Sequence, residues 1–209
     1  MLIRAHDRPP TDDAWQSFVR AQGFGHLVAG GGPDRSLPVV VPTQFVLEDD
    51  AASIVLHLAA ANPVFAAIDE NPQVVLSVAG DWAYIPGQWK AIGDEDPAVG
   101  VPTTYYAAAQ VEATANIVDD AEPKAAILRR QVGDLQPDGG LVDPLDHEKL
   151  FRAIRGLHLD ITDVRAKFKY GGNLDAAHQD AIIDRLAVRE GPGDGAALIQ
   201  AQRIRAQRR

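Results

Sequence analysis

Three short stretches carry side chains able to hold a charged, flat molecule. His57 stands near the end of an apolar, strand-like run, and Asn62-Pro63 follows within a few residues, a pairing preferred at helix starts. Free backbone N–H groups and the positive end of a helix dipole give such a junction the means to hold phosphate. Trp82, Tyr84 and Trp89 come next, and then Val101-Pro102-Thr103-Thr104-Tyr105-Tyr106, offering hydroxyls and flat faces. Together these groups suit a phosphorylated planar cofactor. Each has a structural reading too: Asn62 as a plain helix cap, His57 as a hydrogen-bonded barrel residue, the aromatics as a core wall or dimer seam.

Other chemistries find less support. The chain has no cysteine, no G-x-S-x-G elbow and no phosphate-binding P-loop, and Ser17, Ser36, Ser53 and Ser77 have no base beside them in sequence. The six histidines are scattered without metal-ligand spacing, and His147-Glu148 reads as a solvated pair at a helix start. Gly23 and Gly25 do not open a dinucleotide fingerprint, because Val28 stands at the third glycine and a strand follows.

The 209 residues are 46% hydrophobic, enough for one generous domain. No apolar run is long enough to cross a bilayer and the first residues show no signal-peptide pattern, so a cytoplasmic protein is expected. Net charge is −9, and the four arginines of the tail (Arg203, Arg205, Arg208, Arg209) leave −13 for the remainder. Such a balance argues against a broad nucleic-acid face, and the tail reads as a frayed, solvated end.

Positioning elements follow from pattern. Thr11 is expected to cap a helix that carries Trp15, Phe18 and Val19 on one face and stops at Gly23. Strands are expected at Phe24–Ala29, ended by the glycine-rich 30–34 turn, and at 37–47, 53–58, from Val74 to a break at Gly80-Asp81, Thr103–Val118, where the alanines also allow a helix, and 157–164. Pro38 and Pro42 mark the second as an edge, a bulge or a barrel corner. Helices are expected at 63–69, from a capping box at Asp119 and Glu122 to Asp134, and at 146–155, 176–188 and 195–205. Consecutive strands with helices inserted at the ends indicate α+β with an antiparallel sheet or barrel.

Several motifs occur in an order that resembles the PaiB-like FMN-binding negative transcriptional regulators, relatives of the pyridoxamine-phosphate-oxidase split barrels. They are H-x-A-x-x-N-P at His57, Ala59, Asn62 and Pro63, G-x-x-x-Y-I-x-x-x-W from Gly80 to Trp89, V-P-T-x-x-Y from Val101 to Tyr106, and Ala166-Lys167. The resemblance implies one domain over 1–209: a six-stranded antiparallel split β-barrel (about 1–118 and 157–173), a helical insertion (about 119–156) and C-terminal helices (about 174–209). It also implies a homodimer with FMN in clefts at the subunit interface. The phosphate would lie near His57, Ala59 and Asn62 with charge from Lys167 or Lys169, Trp89 and Tyr105 would flank the ring, and Thr103 would donate a hydrogen bond. The chain departs from the family at Val40-Val41, where a histidine is usual, at Ala60, where an arginine is common, at Thr104-Tyr105, and at Phe168–Gly172.

Three functions are compatible with these residues. The first is a flavin-binding regulator, acting through a small molecule or partner because an acidic chain without a basic recognition helix is repelled by DNA. The second is an FMN-dependent oxidoreductase or flavin reductase. The third is a dimeric scaffold from which the departures have removed the flavin.

Overall fold

A computed structural model describes residues 1–206 except 31, 33, 34, 137 and 141. Arg208, Arg209 and most of the 30–34 turn therefore lie outside the described residues. The chain divides into two compact units: Met1–Trp15, Ala79–Ala109 and Ala166–Arg209 form the first, Gln16–Val78 and Gln110–Arg165 the second.

The second unit draws on all seven strands: β1 (Phe24–Ala29), β2 (Val39–Gln44), β3 (Val46–Leu47), β4 (Ser53–Ala59), and parts of β5 (Gln73–Ile85), β6 (Thr103–Val118) and β7 (Ile154–Lys169). Their order is β2-β1-β5-β6-β7-β4-β3, with β1 antiparallel to β2 and β5, and β4 antiparallel to β3 and β7. The expected six-stranded barrel is thus a seven-stranded sheet, and no ladder closes it among the described residues. The extra strand arises because the expected 37–47 strand breaks at Phe45. Its first part pairs with β1 and its last two residues with β4, so the outermost strands of the sheet adjoin in sequence across one buried residue. The proline-marked segment gives the edge strand β2, and the chain turns the corner after it at Phe45.

Around this sheet lie most of α1 (Ala14–Gln22), with α2 (Val64–Glu70), α3 (Ala121–Leu135) and α4 (Glu148–Arg152). Phe18 and Val19 are buried, and Gly23 leaves α1 in the left-handed region at φ +56°. Asn62 Oδ1 accepts the Val64 N–H at 3.0 Å, so the expected cap of α2 is present. The Asp119–Glu122 capping box is not. Asp120 occupies the cap without a side-chain bond, and Asp119 instead accepts from Arg155 at 2.8 and 2.6 Å. The predicted 146–155 helix shortens to α4 because Gly156 lies inside β7, opposite His57. Ile127, Val46 and Val55 form one apolar cluster under α3, and Leu128, Ala125 and Phe151 another.

The first unit holds the far ends of β5, β6 and β7 with α5 (Ala176–Arg189) and α6 (Asp194–Ala206). No described helix is long and apolar enough to cross a membrane. β5 does not break at Gly80-Asp81 as expected. Its inward residues change from Val74, Leu76 and Val78 to Ala83 and Ile85, an even-to-odd switch of the kind a bulge produces. Trp82 and Tyr84 consequently face outward, 63% and 50% exposed, and are no core wall.

A cationic cavity as candidate cofactor site

The first unit encloses a cavity of about 310 Å³ built from four pieces of chain. The N-terminal segment gives Arg4, His6 and Asp7; the turn Gly87–Lys90 gives Lys90; the start of β6 gives Thr103 and Tyr105; the end of β7 and the bend after it give Lys167, Lys169 and Asn173. In β7 the alternation places Ala166 and Phe168 inward, so Lys167 and Lys169 share the opposite side. Lys167 Nζ donates to the Leu2 carbonyl at 3.1 Å and lies 3.5 Å from the buried Asp7 carboxylate. Both lysines also approach the Tyr106 ring, at 5.8 and 5.9 Å from its centroid.

Charge is unbalanced here. Asp7 is the one acid in the wall, and Lys167 already uses it. Arg4, Lys90 and Lys169 have no ion-pair partner among the described residues. Burial, and after it the positive charge of Lys169, hold the Lys90 ammonium below the ordinary lysine range. Beyond Asp7, the wall has no carboxylate among the described residues to balance these cations.

Tyr105 is 2% exposed and meets Tyr170 edge-on, with ring centroids 5.8 Å apart. Burial pushes both phenols above the usual tyrosine range, so each stays protonated. A second space, of about 380 Å³, shares Lys90, Val101, Asn173 and Leu174 with the first. At its edge His178 bridges Asp175 (2.7 Å from Nδ1) and Glu95 (3.0 Å from Nε2).

Of the residues singled out in sequence, Thr103, Tyr105, Lys167 and Lys169 come together in this cavity. Trp89 does not line it. Its ring is covered by the Arg189 guanidinium at 4.5 Å, and its carbonyl accepts from Arg185. His57, Ala59 and Asn62 belong to the second unit, where His57 Nδ1 is 2.7 Å from Gln131 Oε1 and Asn62 is occupied as a cap. Arg4, His6 and Asp7 carry no local motif, and Lys90 was missed although it adjoins Trp89.

Fold and site define an α+β protein with an anion-seeking cavity. Solved structures share that fold: the FAD and haem binding protein from Mycobacterium smegmatis is similar at TM-score 0.60 and 16% identity, over 88% of this chain and 80% of that one. A conserved hypothetical protein from Mycobacterium tuberculosis is similar at TM-score 0.59 and 16% identity, over 84% and 94%. The flavocytochrome Anf3 from Azotobacter vinelandii follows at TM-score 0.55 and 20% identity, over 78% and 77%. The model of the FMN_bind_2 family, described as "Putative FMN-binding domain", matches residues 1–163, and the chain belongs to that family. No curated protein matches the sequence.

FMN is the cofactor the family implies, and the cavity suits its phosphate. A phosphate monoester carries close to two negative charges at neutral pH, with strong acceptor oxygens, which is what the unpaired ammonium and guanidinium groups require. Of the four cations in the wall, Arg4 and Lys90 lie within the residues the family model covers, and Lys167 and Lys169 lie beyond them.

Proposed function

We propose that this protein binds FMN with the phosphate in the cationic cavity and works as a flavin-dependent redox protein. The observation that supports this most is the convergence of Arg4, Lys90, Lys167 and Lys169 around a space with one carboxylate. In this reading Lys167 and Lys169 bind the phosphate, Thr103 donates a hydrogen bond, and the buried Tyr105 forms a rigid wall. Asp7 and the Leu2 carbonyl orient Lys167, which lets its remaining N–H face the ligand. A bound flavin would supply one- and two-electron chemistry. The placement near His57, Ala59 and Asn62 has less support, since His57 and Asn62 already have partners.

The regulatory role implied by resemblance has less support than redox work. Net charge is −9, and Arg205, in the basic C-terminal helix, is paired with Asp180 at 2.9 and 3.0 Å. The protein acts in this reading as a homodimer, with the outward Trp82 and Tyr84 covered by a second copy. The flavin-loaded protein should oxidise a reduced nicotinamide when a small electron acceptor is added. Flavin-loaded protein that leaves the nicotinamide unchanged with every acceptor would remove the enzymatic part of this reading.

A further inference from the structure

Lys90 sits at the end of the Gly87–Lys90 turn and lines the cationic cavity, yet neither motif nor resemblance marks it. Its position is costly. It is half-buried, Lys169 is the like charge closest in effect, and no carboxylate pairs with it among the described residues. A lysine on a flexible backbone would turn its four-carbon stem towards water and escape both costs.

The backbone here is not flexible. Arg185, on α5, donates one Nη to the Trp89 carbonyl and the other to the Ala91 carbonyl at 3.3 Å, so its fork brackets Lys90 on both sides. Arg189, one turn further along α5, covers the Trp89 ring at 4.5 Å. At the base of the turn Gly87 and Gly100 meet back to back. A Cβ on Gly87 would lie 2.2 Å from the Gly100 oxygen, and one on Gly100 2.0 Å from the Gly87 oxygen. Arg185 itself lines neither cavity, and it forms no ion pair among the described residues. Two backbone carbonyls flanking one lysine take its planar fork, a geometry that an ammonium cannot reproduce.

We propose that Lys90 is a third phosphate-binding residue of the FMN site and that Arg185 is the residue that positions it. The proposal rests on the reading of the cavity as the FMN phosphate site. It assigns specificity as well as affinity, because a cation presented to the phosphate end distinguishes FMN from riboflavin, which is the same flavin without that group.

Dissociation constants for FMN and for riboflavin, measured in the wild type and in Lys90→Met, Arg185→Met and Arg185→Lys, test it. Thermal unfolding of each variant is followed alongside. The wild type should prefer FMN. Lys90→Met and Arg185→Met should lower that preference about tenfold or more while riboflavin affinity stays within about twofold, the loss a charge-assisted contact produces. Arg185→Lys keeps the charge but not the fork and should lose preference too, and it decides the matter if Arg185→Met does not fold. An unchanged FMN-to-riboflavin ratio in Lys90→Met overturns the phosphate role. Equal losses for both ligands in the Arg185 variants overturn the positioning role. A wild type that takes up no FMN overturns the reading of the cavity itself, and the proposal with it.

Discussion

At the scale of single residues, Gly171 shows how tightly the cavity wall is constrained. It follows β7 by two residues, in the left-handed region at φ +76°, and a Cβ there would come within 2.1 Å of the Tyr105 hydroxyl. Tyr105 cannot swing away, because its ring is buried and locked against Tyr170. Gly171→Ala should therefore cost about 3 kcal/mol, combining left-handed strain with overpacking. A urea midpoint unchanged from the wild type would contradict this. The residues of the site were unevenly legible. Lys167 and Thr103 could be found because they sit in the short motifs Ala166-Lys167 and Val101-Pro102-Thr103, although the expected 157–164 strand stops short of Lys167 and β7 runs on to Lys169. Arg4, Asp7 and Lys90 could not, because their meeting depends on where an irregular N-terminal segment and a short turn are carried by the rest of the unit.

At the scale of elements, His178 ties the start of α5 to the 91–101 loop through Glu95. Hydrogen bonds that it donates to Asp175 and Glu95 raise its pKa above the ordinary 6.5, while hydrogen bonds hold both carboxylates below their ordinary values of 3.8 and 4.5. The groups facing His178 are these two carboxylates, with Lys90 lining the same space. The histidine's contribution is complete below about pH 6.5 and is lost as pH rises through its raised pKa. The carboxylates' contribution is complete above their ordinary values and is lost as pH falls through their lowered ones. Proteolytic cleavage within 91–101 should be slowest in the mildly acidic range and accelerate in alkali. In His178→Gln the rate should vary little over the same range. A wild-type rate indifferent to pH would contradict the tie.

Strand types and helix positions were readable where periodicity is clean, as at 157–164 in β7; in β6 the alanines also allow a helix, and it is the buried alternation from Tyr105 to Ala115 that marks the strand. Junctions were not. Gly80-Asp81 has the composition of a turn but only shifts the face of β5, and Phe45 divides one apolar run between two partners. Both outcomes are decided by neighbouring strands that no local window contains.

At the scale of the whole molecule, an acidic chain gathers three cations without ion-pair partners among the described residues (Arg4, Lys90 and Lys169) in one cavity and places two large aromatics on an outer strand face. If Trp82 and Tyr84 are covered by a second copy, Trp82→Lys should turn a dimer into a monomer in sedimentation equilibrium, since a buried unpaired charge is not tolerated at such a contact. A wild type that sediments as a monomer would contradict that assembly. Flavin binding in the cavity underlies the proposed redox function. The most direct measurement of it is an equilibrium titration of apo-protein with FMN, in the wild type and in the Lys167→Met/Lys169→Met double variant. One FMN per chain should bind at micromolar affinity or better, weakened about a hundredfold in the variant as two charge-assisted contacts disappear. Equal affinity in the two proteins, or no uptake by the wild type, would contradict it.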